Sequence, residues 1–176
     1  MLSLILAFAA GFDLECTYPS RAKGIATAKH CAARGKDGEL RIDPARLRDL
    51  AFDPKTGTAP IHVGGWYLVR RDGTSAPVMA FDNGAEEFAE GLARSPRGSG
   101  IGYVDSRLEL VIAARYDGAY RFRDGRAAVC FGCVPLSDGE HGYYGGGSWA
   151  CIDRTGREIR PRFQAAPRQA AVEVCG

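Results

Sequence analysis

The stretch "GGSWACIDRTGREIRPRF", Gly146 to Phe163, decides the fold, because the chain spells the same pattern twice before it. Earlier stand "GSGIGYVDSRLELVIAARY" (Gly98–Tyr116) and "VGGWYLVRRDGTSAPVMAF" (Val63–Phe81). With Trp66, Ile101 and Trp149 in one column, Gly73, Leu108 and Gly156 follow seven residues later. Phe81, Tyr116 and Phe163 come fourteen or fifteen residues after the anchor. In the first two copies Phe88 or Phe122 comes next, then Gly91 or Gly125. The anchors lie 35 residues apart in the first interval and 48 in the second. The surplus falls in one insertion, "FGCVPLSDGEHGYYGGG", residues 131–147. A fixed internal period of this size is the signature of stacked supersecondary units.

Each copy reads as strands. In "SWACID" the side chains of Trp149 and Cys151 fall on one face and those of Ala150 and Ile152 on the other, the period of a β-strand. "WYLVRR" and "IGYVDS" repeat the alternation. "RRDG" and "DRTG" then break the strand, with Gly73 and Gly156 supplying positive φ for a tight turn. Copy two carries Leu108 at that place, so its turn has to differ or bear strain. A second strand follows, and Pro161 within the last copy's version implies an edge position. The tails "FAEGLARS" and "FRDGRAAVC" are glycine-centred turns feeding a third strand into the next copy. One three-stranded unit cannot bury its aromatic face alone, so neighbours must stack. Trp66, Phe81, Phe88, Tyr103, Tyr116, Phe122, Trp149 and Phe163 form the expected repeat core. The fold class expected is all-β: about three tandem antiparallel meander units at residues 64–164.

The pattern resembles the WG-repeat family of bacterial proteins, whose units run roughly Gly-x-Trp-Gly-Tyr-Ile-Asp, a Thr-Gly or Asp-Gly turn, a Val-Ile-Pro strand, Tyr-Asp, and Phe-x-x-Gly-x-Ala. "GSWACIDRTGREIRPRF" matches the front of such a unit and "ARYDGAYRFRDGRAAV" its back. The Trp-Gly pair itself is replaced here by Trp66-Tyr67, Ile101-Gly102 and Trp149-Ala150. The resemblance implies repeated β-units with structural or protein-interaction roles, and it brings no catalytic residues.

Residues 11–63 do not obey the repeat and are expected to form a small mixed cap on the array. "RIDPARLRDLAF" holds a helix start, with Asp43 as N-cap, Pro44 at the first helical position, and Leu47 and Leu50 on one face. Upstream the chain reads as loop-rich, with a turn of helix at residues 26–33. Residues 1–10, "MLSLILAFAA", are too short to span a bilayer. They resemble the apolar core of a secretory signal, although no basic residue precedes them; a buried strand is the alternative. Residues 165–176 form a C-terminal tail.

Six cysteines, Cys16, Cys31, Cys130, Cys133, Cys151 and Cys175, fit a disulfide framework in an oxidising compartment. Cys16–Cys31 would tie down the cap, and Cys151 with Cys175 would pin the C-terminus. Cys130 and Cys133 form a short disulfide or join a longer framework. The rival reading gathers Cys130, Cys133, His141 and Cys151 into a zinc or thiol-redox site. Against zinc, the spacing matches no standard finger; against redox, the Cys-x-x-Cys ends a strand rather than opening a helix.

With a net charge of +2 and arginines interleaved with acids, no basic stripe marks a nucleic-acid binder. None of His30, His62 and His141 sits in a nucleophile motif. The recurrent Asp82, Asp105, Asp117 and Asp153 suit turns and strand ends, where a carboxylate accepts local N–H groups. Gly145-Gly146-Gly147 reads as a flexible joint, not a phosphate loop. The insertion, with His141, Tyr143 and Tyr144, is the candidate interaction loop, since insertions in repeats map to binding faces. The expectation is a periplasmic or secreted bacterial module. It would bind a protein partner, without cofactor, metal, catalysis, nucleic acid or membrane insertion beyond the signal segment.

Overall fold

The computed structural model describes residues 11–35, 38–137, 139, 142–164, 173 and 175. The signal-like segment 1–10, His141 and most of the tail 165–176 lie outside the described residues. The described residues form antiparallel strands, with a short helix among the first of them.

The N-terminal segment contributes β1 (Leu14–Ser20), β2 (Gly24–Arg34), β3 (Leu40–Ile42), the helix α1 (Pro44–Asp49) and β4 (Thr58–His62). The expected turn of helix at residues 26–33 is instead the body of β2. Alanine-rich "IATAK" has helix propensity, but a register running from Cys16↔Ala28 to Ser20↔Gly24 with β1 overrides it. The disulfide Cys16–Cys31 pins the same hairpin. The helix starts as read: the Asp43 carboxylate accepts the Ala45 and Arg46 amides at 3.0 and 3.2 Å, with Pro44 at N1.

Unit one runs through β5 (Trp66–Arg70), β6 (Ser75–Pro77), β7 (Ala80–Phe81) and β8 (Gly84–Ala85). Unit two comprises β9 (Ala93–Arg97), β10 (Gly100–Val104), β11 (Leu110–Tyr116) and β12 (Gly118–Ala119). Then come β13 (Arg126–Phe131), the inserted hairpin β14 (Val134–Ser137) and β15 (Gly142–Gly145), and β16 (Ser148–Asp153). The sheets follow the repeat. The strand that enters a unit pairs with the strand carrying its anchor, β9 with β10 and β13 with β16, giving β9-β10-β11 and β12-β13-β16; the latter is extended by the bridges Ile152↔Glu158 and Trp149↔Phe163. Unit one is joined to the N-terminal segment in a six-stranded sheet, β3-β2-β1-β4-β5-β6. That sheet nearly closes: the buried Ser75 hydroxyl of β6 donates to the Leu40 carbonyl of β3 at 3.0 Å and accepts its amide at 2.8 Å.

The three sheets stack with apolar layers between them. Alternation sends Tyr67 and Val69 back into the six-stranded sheet's own core with Tyr18, Leu50, Ile61 and the Cys16–Cys31 bridge. Trp66 and Leu68 face forward onto Ala93, Val104 and Leu108 of unit two. Ile101 and Tyr103 face forward in turn onto Val129, Ala150 and Ile152. Trp149 and Cys151 form the last layer with Cys130, Cys133 and Cys175.

One turn recurs in all three units. Gly73, Leu108 and Gly156 donate their amides to Arg70, Asp105 and Asp153 at 3.0, 2.9 and 2.9 Å. Leu108 therefore keeps the turn and bears the strain, with φ of +66°. Its side chain is buried between units one and two, and that burial offsets a left-handed cost of about 1–2 kcal/mol.

Tyr103, Tyr116, Phe122 and Trp149 are buried, while Trp66, Phe88 and Phe163 are half-buried. Phe81 corrects the expected core: it lies 43% exposed, with the Arg121 guanidinium 4.5 Å above its ring. The reason is register. Val78, not Phe81, bonds back to Trp66 (N to O, 2.9 Å), as Tyr116 sits opposite Ile101. β11 reaches Tyr116 through two irregularities that β6 lacks, so equal spacing does not give equal position.

Candidate interaction groove

The insertion folds into a two-stranded hairpin, with Val134↔Gly145, Pro135↔Tyr144, Leu136↔Tyr143 and Ser137↔Gly142 in register. Its base is closed by the Cys130–Cys133 disulfide, and the Gly132 amide donates to Asp117 at 2.6 Å. The glycines 145–147 are no loose joint. Gly145 ends β15, while Gly146 and Gly147 turn the chain at φ of +71° and +69°. A Cβ on Gly147 would meet the Phe131 carbonyl at 2.5 Å. The indole N–H of Trp149 donates to Gly146 at 2.9 Å, so the repeat's anchor residue also clips the hairpin.

Tyr144 is the hairpin's inner contact. Its ring covers Gly118, where a Cβ would meet ring atoms at 2.6–2.7 Å and the Cys130 sulfur at 2.6 Å. Tyr144 meets Tyr120 edge-on, centroids 5.8 Å apart, and Tyr120 in turn stacks on Trp149 at 5.8 Å. Outward, the hairpin presents Val134 (55% exposed), Pro135 and Leu136 (42% exposed).

Between this hairpin and the β7–β8 region lies a groove of about 980 Å³, with Pro135, Leu136, Tyr143 and Tyr144 on one wall and Phe81 and Arg121 on the other. Arg94 reaches its floor. Glu86, 1% exposed, accepts the Arg94 amide at 3.0 Å and pairs with the Arg94 guanidinium, which is 8% exposed in the whole residue. Arg94 also donates to the Ala119 carbonyl at 2.8 Å. Burial works against the Arg94 charge, but the hydrogen bonds and charge of Glu86 outweigh it and raise the Arg94 pKa. Burial likewise pushes the Tyr103 hydroxyl far above its ordinary range, so it remains a donor, to the Tyr120 carbonyl at 2.7 Å. Tyr144 is raised too, by burial first, with the Arg94 charge acting against the shift. The groove thus combines aromatic and aliphatic side chains with charges of both signs, Asp82, Glu90, Arg121, Arg123 and Asp124, and with Arg94, whose charge is paired with Glu86.

Of the sequence-expected site residues, the structure brings Tyr143 and Tyr144 to this groove; His141 lies outside the described residues. All six cysteines are paired: Cys16–Cys31, Cys130–Cys133 and Cys151–Cys175, with Cα separations of 5.8, 6.0 and 5.4 Å. The cysteines of the rival zinc reading are therefore held in disulfides, which offer no thiolate. No group of three or more metal-ligating side chains is gathered among the described residues. Asp105 and Asp153 hold the recurrent turn, Asp153 accepting the Thr155 and Arg157 amides at 2.9 and 3.1 Å and Asp105 those of Arg107 and Glu109 at 2.9 and 3.1 Å, whereas Asp117 reaches across to Gly132. The Glu86–Arg94 pair was missed, since no period or motif marks it.

Stacked antiparallel units sharing one turn define the class as a β-repeat protein. Residues 101–132, which run from the anchor of unit two to the glycine after β13, match the WG containing repeat family. No curated protein and no solved structure matches the chain.

Proposed function

We propose that the protein is an exported interaction module that binds a protein partner at the groove beside the β14–β15 hairpin, without catalysis. The observation that carries this reading is the hairpin itself. It interrupts a compact repeat, exposes Val134 and Leu136, and is nevertheless held firmly by a disulfide, by Tyr144 over Gly118 and by the Trp149 clip. Rigid, amphipathic, tyrosine-bearing surfaces of this kind lose little entropy on binding. The three disulfide pairs fit an oxidising compartment such as the periplasm or the exterior. No helix among the described residues is long and apolar enough to cross a membrane.

The test is a photo-crosslinking amino acid placed at Leu136 in the full chain, with the same probe at Ile25 on the N-terminal sheet as control. One defined adduct from the cell envelope or medium at Leu136, absent at Ile25, supports the reading. Equal capture at both positions, or none at Leu136, refutes it.

A further inference from the structure

Leu68, Tyr103 and Cys151 occupy one position in three successive units, two residues after the anchor on strands that end in the same turn. In unit two the slot before that position is filled by the chain's own phenol. The Tyr103 ring lies edge-on to Phe122, centroids 4.9 Å apart, and its hydroxyl donates to the Tyr120 carbonyl at 2.7 Å. In unit three the position is taken up in the Cys151–Cys175 bridge. In unit one the side chain is only a leucine.

The corresponding place in unit one is a depression of about 590 Å³ walled by Pro60, Trp66, Leu68, Ala85 and Phe88. In sequence Gly84-Ala85 of β8 repeats Gly118-Ala119 of β12 and Phe88 stands for Phe122, although β8 pairs with β7 where β12 pairs with β13. The carbonyl corresponding to that of Tyr120 belongs to Glu86, which also lines the depression. Trp66 and Phe88 remain half-buried, unlike Ile101 and Phe122. The Trp66 indole is held on another side by the edge of His62, 5.0 Å away. Asp53 and Glu87 are exposed among the lining residues, with Lys55. The volume is that of a small-ligand site.

We infer that this depression binds small 4-hydroxyphenyl compounds, the ring taking the place Tyr103 holds in unit two and a neutral or cationic tail lying toward Asp53 and Glu87. This site is separate from the hairpin groove and does not depend on the proposed partner.

The probe is tyramine, compared with phenethylamine, which lacks the hydroxyl, and followed by the two indole N–H resonances of the full-length protein. Tyramine is expected to shift the Trp66 resonance saturably and leave that of Trp149 in place. Phenethylamine should bind about fivefold more weakly, the worth of one neutral hydrogen bond. Leu68→Tyr supplies unit two's own plug, and should weaken tyramine binding at least about tenfold. No saturable shift of Trp66, equal affinity for the two amines, or unchanged binding in a folded Leu68→Tyr variant would each overturn the assignment. If Leu68→Tyr does not fold, the amine comparison on the unaltered protein decides alone.

Discussion

Removing one partner of the Glu86–Arg94 pair should cost far more than removing both. Glu86 accepts three hydrogen bonds from Arg94, one from its amide and two from its guanidinium. Glu86→Leu leaves the guanidinium buried with only the Ala119 carbonyl, an uncompensated charge expected to cost about 3–5 kcal/mol. Arg94→Met strands the carboxylate and should cost a similar amount. The double variant Glu86→Leu/Arg94→Met buries no charge. It loses partners for the Arg94 amide and the Ala119 carbonyl, about 1–3 kcal/mol. The coupling between the two sites is therefore about 3 kcal/mol or more, at the upper end for contacting residues. Guanidinium unfolding followed by circular dichroism measures all four proteins. In a chain of this length each kcal/mol corresponds to about 2–4 °C in Tm. Single variants that each lose under about 1 kcal/mol, or a double variant as unstable as the sum of the singles, would refute the account of a mutually dependent buried pair.

Leu108→Gly relieves a left-handed backbone but deletes a buried leucine. Since the side chain is worth about 2–5 kcal/mol and the strain about 1–2, unfolding midpoints should fall. Cys151→Ala with Cys175→Ala opens a closure spanning 24 residues, and chain entropy puts the loss near 3.5 kcal/mol, read as a lower guanidinium midpoint with no change in strand content. Asp153, half-buried at the end of β16, is held down to about 2 mainly by the hydrogen bond from the Thr155 hydroxyl, with further bonds from the Thr155 and Arg157 amides. A depressed carboxylate contributes stability that is full above its unfolded value near 4 and is lost as pH falls through about 2. Asp153→Asn should therefore flatten the acid limb of the stability curve between those values, and leave it unchanged near neutrality relative to its own plateau.

What was legible in the sequence was whatever is local and periodic. The alternation of Trp149 with Ala150, the turn at Gly73 and Gly156, and the Asp43-Pro44 helix start each depend on contacts within a few residues. All three appear where they were read. Leu108 was legible as a problem, and the chain solved it by strain rather than by another turn. Phe81 was misplaced because the bulges of β11 break the link between spacing and register, and bulges leave no mark in composition. The β1–β2 hairpin was hidden because an alanine-rich strand is held by its partner and its disulfide, not by its own propensity. The hairpin groove was half visible: an insertion with two tyrosines signals a surface. Which wall faces it depends on Phe81 and Arg121, from elsewhere in the chain. The depression in unit one depends on Pro60, Trp66 and Phe88, from separate stretches of the chain, meeting around Leu68, which no local pattern records.

Ser75 carries a consequence for how this molecule behaves among its neighbours. A sheet that ends in two free strands offers each end as a template, and chains of this kind can grow into fibres edge by edge. Here the end strands β3 and β6 face each other across a single buried hydroxyl, bonded to both polar groups of Leu40. No seventh strand can enter at that junction without first displacing the serine. The sheet that begins the array is thereby closed to recruitment at both of its margins there. Ser75→Val would reopen them, turning one lost hydroxyl into a tendency to polymerise.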